Sequence, residues 1–187
     1  PPFPSHSAVC GGGRPCRPGE GNTKGYKMWY QPYEHREHFV QTRRREPPAN
    51  SDYSALLAAA KAVAIQKVVI LAAADFDYRE LALNWVAHVR ARGHANALLL
   101  AMDSELVAEL SRRGIAHADN SANLAAWNVT CLPRHVQAVR TERHVAAAAL
   151  VTASYDVLLC DVTAVFTADP MPYLLDASRQ ADVLFQR

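Results

Sequence analysis

Three aspartates in this sequence each close an apolar run. Asp75 follows Lys67-Val-Val-Ile-Leu-Ala-Ala-Ala74, Asp103 follows Ala97-Leu-Leu-Leu-Ala-Met102, and Asp161 follows Asp156-Val-Leu-Leu-Cys160. Continuous apolar runs of this length suit strands covered on both faces of a parallel sheet. Sites in such sheets lie beyond the carboxyl ends of the strands, so neighbouring strands would bring the three carboxylates to one crevice. Asp103 precedes Ser104 and fits a helix cap equally well. The third run carries the most chemistry, because Asp161 is followed two places on by a second polar residue, Thr163. A strand ending in D-x-D aims two oxygen ligands at one point. It can hold Mg2+ or Mn2+ against a diphosphate, the metal neutralising charge on the leaving phosphate. With Thr163 in the second place, that ligand pair keeps one negative charge of two.

Other chemistries lack their residues. The turn after the first run reads Ala72-Ala-Ala-Asp-Phe-Asp77, without the G-x-G-x-x-G of a dinucleotide site, and there is no P-loop. The G-x-S-x-G elbow of serine hydrolases is missing too. His35 and His38, interleaved with Glu34 and Glu37, have no cysteine partners at zinc spacing and read as a solvated polar segment. Cys10 and Cys16 flank a glycine-rich loop and could pair in an oxidising lumen or remain thiols otherwise. Cys131 lies in the domain, and Cys160, inside a strand, reads as a small buried hydrophobe. Asn128-Val-Thr130 is an acceptor for N-glycosylation, meaningful only in a secretory compartment. Arg43-Arg44-Arg45 reads as solvated linker charge.

The elements that position these residues begin near position 51. Residues 1–50 hold eight of the 11 prolines and six of the eight glycines and show no sustained periodicity, so they are expected to be an irregular tail or stalk. Within them Tyr26, Met28, Trp29, Tyr30 and Tyr33 concentrate aromatic area that could dock on a domain surface. From Ser51 onward, alanine-rich helices alternate with strands. One helix, capped by Ser51 or Asp52, runs to about Ala64; a second, capped by Asp77, runs from about Tyr78 to Arg92, with Leu81, Trp85 and Val89 on its buried face and Gly93 ending it. Ser104 to Arg113 is a short helix stopped by Gly114. Residues 115–132 show no clear period. A long helix follows, about Arg134 to Ser154, with Val136, Val139, Val145, Ala149 and Leu150 as core candidates. Asp169-Pro170 marks a turn, and Ala181 to Phe185 is expected to begin a fourth strand. The alternation predicts an α/β, Rossmann-like sheet of mainly parallel strands with flanking helices.

Composition sets the outer limits. Half of the 187 residues are hydrophobic, enough for a sizeable core. A net charge of +2 gives no sign of the concentrated basic face of a nucleic-acid binder. Apolar stretches are broken by charge well before the roughly 20 residues of a membrane span, and Pro1 to Cys16 contains no apolar signal-peptide core. Without an initial Met, and stopping at Arg187 straight after a strand-like run, the chain is expected to be a piece of something longer.

From about Tyr53 to Phe185 the ordered blocks resemble the nucleotide-diphospho-sugar transferase family that includes the plant and algal family 77 glycosyltransferases. The blocks are Val69-Ile-Leu-Ala-Ala-Ala-Asp-Phe-Asp-Tyr78, Leu83-Asn-Trp-Val86, Leu98-Leu-Leu-Ala-Met-Asp103 and Arg112-Arg-Gly-Ile115. Arg143, the Ser154-Tyr-Asp-Val-Leu158 strand, Asp161 to Pro170 and Ala181-Asp182 continue the order. The resemblance implies a GT-A fold, here its nucleotide-sugar-binding part over residues 51–187, apparently truncated at the C-terminus. It also implies sugar transfer from a nucleotide-diphospho-sugar to a glycoprotein or cell-wall glycan, with Mn2+ or Mg2+. In this family the enzymes are type II Golgi membrane proteins, which implies a lumenal setting and a membrane anchor outside this chain. Carried over by position, Ala72, Ala73, Ala74, Asp75 and Asp103 would line the nucleoside pocket. Arg143 would approach the diphosphate, and Asp161 would contact ribose or metal, with Thr163 as a weak second metal ligand. The sequence departs from the family at Thr163 (usually acidic), Ala72 (usually a hydroxyl residue), Asp75 (usually Asn), Phe166 (Trp) and Ser154 (Gly). These departures leave open a non-catalytic, degenerate copy. A haloacid-dehalogenase-like phosphatase, whose nucleophile strand also ends in Asp, is a more distant alternative because that strand usually opens its domain.

Overall fold

The computed structural model describes residues 48–128, 132–178 and 181–183. The chain divides into two units, Pro1–Arg45 and Glu46–Arg187, and every described residue belongs to the second. The expectations placed on Cys10, Cys16, the aromatic cluster from Tyr26 to Tyr33, His35, His38, Arg43 to Arg45 and Cys131 lie outside the described residues.

Helix α1 (Ser54–Val63) leads into strand β1 (Val68–Ala74), a 3-10 turn (Phe76–Tyr78) and helix α2 (Arg79–Ala91). Strand β2 (Ala97–Ala101), helix α3 (Ser104–Arg112), strand β3 (His117–Asp119) and helix α4 (Ser121–Ala126) follow. Helix α5 (Leu132–Thr152), strand β4 (Asp156–Asp161) and helix α6 (Met171–Ala177) complete the described elements. The four strands form one parallel sheet in the order β3-β2-β1-β4. The fold is thus α/β and Rossmann-like.

Both faces of the sheet are covered, which is why its strands read as unbroken apolar runs. Ile70, Ala72, Ala74, Leu99 and Ala101 face one layer, with Trp85 and Val89 of α2 and Leu106 and Leu110 of α3. Val69, Leu71, Leu98 and Leu100 face the other, with Leu56 and Ala60 of α1 and Ala138, Ala146 and Leu150 of α5. The assignment alternates along each strand because successive side chains point to opposite faces.

The turns account for several sequence details. Gly93 and Gly114 follow α2 and α3 with φ of 89° and 63°, the left-handed geometry that ends a helix at low cost for glycine. Ser154, where the family resemblance expects glycine, has φ 64° just before β4. A non-glycine residue there stores about 1–2 kcal/mol of strain. Gln66 and Lys67 are both left-handed as well, and they turn α1 into β1 while Ile65 and Val68 exchange two backbone hydrogen bonds.

The helix faces required correction. On α2, Trp85 and Val89 are buried but Leu81 is 41% exposed; the buried stripe is Ala82, Trp85, Val86 and Val89. That i, i+3, i+4, i+7 pattern is phased one residue from the expected face. On α5, Val136 is exposed and Val139, Val145 and Ala149 are half-buried; the buried residues are Ala138, Glu142, Ala146 and Leu150. Asp77 is exposed and caps nothing; Asp75 caps the 3-10 turn instead. Residues Ala181 to Val183 are irregular and exposed rather than the start of a strand, and residues 184–187 lie outside the described set. Among the described residues no helix is long and apolar enough to cross a membrane.

Candidate functional site

The strand order changes direction between β1 and β4. The chain winds outward from β1 through β2 to β3, then returns by α4 and α5 to the other side of β1. Such a switch point opens a crevice at the carboxyl ends of β1 and β4. Ala73 pairs with Asp161 across it, and Ala74 pairs with Ala101 on the other flank. Ala72 is fully buried in the core and Ala74 nearly so, so of the three alanines only half-buried Ala73 is partly open.

Asp75 and Asp103 frame the crevice mouth through backbone bonds. Asp75 accepts from the Tyr78 N–H at 3.3 Å. The Asp103 carboxylate caps α3, accepting from the Leu106 N–H at 2.7 Å, and its second oxygen accepts from the Phe76 N–H at 2.6 Å. It therefore caps a helix, as the sequence allowed, and ties the turn after β1 to the end of β2. Burial pushes the Asp75 carboxyl above its ordinary range; the Tyr78 N–H opposes this, the charges of Asp103 and Asp77 add to it, and His135 opposes it weakly.

A group whose folded pKa is raised costs nothing while protonated in both states and destabilises increasingly as pH rises through that pKa. Asp75→Asn keeps a capping oxygen and removes the charge. The variant is expected to be more stable than the parent at neutral pH, with the gap closing as pH falls below the carboxylate range. Urea unfolding at several pH values measures this, and a gap independent of pH would contradict it.

Across the crevice, the Arg143 guanidinium on α5 donates from Nη1 to Asp161 Oδ2 at 3.2 Å. The Thr163 N–H and hydroxyl both donate to Asp161 Oδ1, at 3.2 and 3.1 Å. Partial burial alone would raise the Asp161 carboxyl, but the Thr163 N–H, Arg143 and the Thr163 hydroxyl outweigh it and hold the group below its ordinary range. The Arg143 Nε is buried and has no acceptor among the described residues. Cys160, one residue before Asp161, is buried, and desolvation pushes its thiol up to about 12, so it remains a neutral hydrophobe.

These residues do not fit a divalent cation. At nucleotide sites a hard cation such as Mg2+ is held by one or two carboxylates together with substrate phosphates and water, so the charge on those carboxylates decides the fit. Among the described residues Asp161 is the carboxylate that lies beside Arg143, and the guanidinium already matches its charge. The expected second ligand, Thr163, is a neutral hydroxyl that donates its proton to Asp161, so it adds no negative charge to the site. A guanidinium charge lies where a dication would have to approach. No group of three or more His, Cys, Asp or Glu able to hold a metal occurs among the described residues.

One group behind the crevice was not visible in the sequence. Glu142, the neighbour of Arg143 on α5, is fully buried. Its Oε1 accepts from the Tyr53 hydroxyl at 2.7 Å and from Asn120 Nδ2 at 3.1 Å, and its Oε2 accepts from Trp127 Nε1 at 2.7 Å. Asn123 extends the network, donating to Asn120 Oδ1 and to the Asp52 carbonyl while accepting from the Asp52 N–H. This hub ties α5 to the segment before α1 and to α4, and so fixes the helix that presents Arg143. Burial and the Glu142 contact push the Tyr53 hydroxyl well above its ordinary range, so it serves as a donor. Asn128 is exposed with φ 47°, while the rest of its sequon lies outside the described residues.

The segment after Asp161 lies against the second half of α2. The Phe166 carbonyl sits 2.9 Å from His88 Nε2, the Phe166 ring meets His94 edge-on, and Asp169 lies 3.0 Å from His94 Nε2.

Residues 92–187 match the model of the nucleotide-diphospho-sugar transferase family. The arabinosyltransferase XEG113 of Arabidopsis thaliana is 25% identical over 107 residues, which is 57% of this chain and 17% of that protein. The chain thus spans a minor share of the relative it matches. No solved structure matches it. The family match covers half of the chain, from the end of α2 through β4 and Asp161, and the chain belongs to the nucleotide-diphospho-sugar transferase family.

Proposed function

We propose that the crevice between β1 and β4 binds a nucleotide-diphospho-sugar and that the domain serves in transferring the sugar to a glycoprotein or cell-wall glycan. The observation that carries this reading is Arg143, a cation set at the switch point beside Asp161. A diphosphate leaving group develops negative charge as its bond to the sugar breaks, and a fixed cation beside it favours that state over the ground state. Asp75 and Asp103 frame the neighbouring strand ends, where the nucleoside would lie. The name of the arabinosyltransferase relative supports a pentose donor. A secretory lumen, glycosylation at Asn128 and an anchor elsewhere in a longer protein belong to the same reading.

A second reading, a degenerate module that keeps the fold without the transfer, is favoured by Thr163 in the place of a second acidic residue. Both are tested by calorimetric titration of the chain with UDP and with GDP. Binding of one nucleotide over the other is expected, with Kd in about the micromolar to millimolar range. Binding of neither, with or without Mn2+, removes the donor-site reading.

A further inference from the structure

We propose that this site neutralises the diphosphate of its ligand with the Arg143 guanidinium in place of a divalent cation, with Asp161 as the counter-ion that the diphosphate displaces. The inference rests on the nucleotide-sugar reading and concerns how the same crevice handles charge.

Three observations converge on it. First, Asp161, the carboxylate at the expected metal position, faces a guanidinium, and the two charges cancel. Second, both Asp161 oxygens are already committed, one to Arg143 and one to the two donors of Thr163. A metal ion there would have to share a carboxylate whose charge Arg143 already matches, and would sit beside that guanidinium. Third, Arg143 is not saturated. It makes one bond to Asp161, and its buried Nε has no acceptor among the described residues. A guanidinium presents five donors in a planar fork that matches phosphate oxygens bidentately. A diphosphate carries more charge than a single carboxylate and more acceptor oxygens. Exchanging Asp161 for it uses donors that are idle in the free protein. Thr163 then reads as a fitting residue: it neutralises the position where a second carboxylate would repel a phosphate that has no metal between them. It also holds Asp161 in place when Arg143 turns away.

The test is titration of the whole chain with UDP and GDP in EDTA and, separately, in Mn2+, together with Mn2+ titrated alone. The bound nucleotide is expected to show the same affinity in both buffers, and Mn2+ alone to give no binding. Arg143→Ala is expected to weaken nucleotide binding by about tenfold or more, the loss of charged hydrogen bonds. Arg143→Lys keeps the charge without the fork and should fall between. Circular dichroism confirms that each variant is folded. Thr163→Asp supplies the second carboxylate and is expected to weaken binding in EDTA while introducing rescue by Mn2+.

Wild-type binding that vanishes in EDTA and returns with Mn2+ overturns this inference and leaves the nucleotide-sugar reading standing. So does a folded Arg143→Ala variant that binds like the parent. Binding of neither nucleotide in either buffer removes both.

Discussion

Glu142→Ala is expected to lower the unfolding free energy by about 3–5 kcal/mol, the range for leaving a buried polar network without its centre. The substitution strips acceptors from the Tyr53 hydroxyl, Asn120 Nδ2 and Trp127 Nε1 at once. Each donor left dry costs about 1–3 kcal/mol, and the costs of one network do not simply add. Alanine's better helix propensity recovers only a few tenths of a kcal/mol. Glu142→Gln is the sharper control. It keeps size and shape but replaces one accepting oxygen with an NH2 that meets a donor head-on, so it should fall between the parent and alanine. Urea unfolding followed by circular dichroism gives both numbers. A loss below about 1 kcal/mol for the alanine variant would mean that the network is not holding α5. Because Arg143 is the next residue on that helix, a folded Glu142→Gln variant should also bind nucleotide less tightly than the parent.

Trp85→Ala is the second large effect, again about 3–5 kcal/mol, from lost transfer energy plus the cavity left in the layer between α2 and the sheet. Trp85 is 1% exposed and packs with Val86, Val89 and the inward residues of β1 and β2. Trp85→Phe separates ring packing from polarity. Trp85 Nε1 is buried with no acceptor among the described residues, an unmet donor that itself costs about 1–3 kcal/mol. Phenylalanine removes that donor along with part of the ring. Its cost is expected to be less than half that of alanine, and equal costs for the two variants would refute this account of the orphaned indole.

These two residues also show where sequence reasoning succeeded and where it failed. The strands were legible because a sheet covered on both faces demands unbroken apolar runs, and Val68–Ala74 and Ala97–Ala101 have few other uses. Trp85 was legible as core for the same reason of composition. The phase of its helix was not, since Leu81 and Ala82 are both apolar and only the packing decides which of them turns inward. The three-residue β3 and six-residue α4 fall below the length at which any period can appear. Glu142 was invisible in principle. A glutamate between Thr141 and Arg143 reads as solvent-facing, and its three donors come from residues scattered between Tyr53 and Trp127. At the site, the terminal aspartates could be placed by topology alone. That Thr163 and Arg143 would both bond Asp161 could not, because the arginine reaches it across 18 residues from another element.

The strand order carries a consequence for how the molecule comes into being. The β1–β2 and β2–β3 pairs join neighbours in sequence, each through a crossover containing a single α-helix. The β1–β4 edge does not, and neither do the bonds that brace it: Tyr53 meets Glu142 over 89 residues and Asp52 meets Asn123 over 71. Closing such loops must precede any reward from the contacts, which makes them slow. The crevice is therefore among the last features a refolding chain acquires. A half-sheet of β1, β2 and β3 would hold Asp75 and Asp103 but lack both Asp161 and the restrained Arg143. Ligand binding should thus appear together with the complete fold and with no earlier intermediate, making the site a reporter of finished molecules.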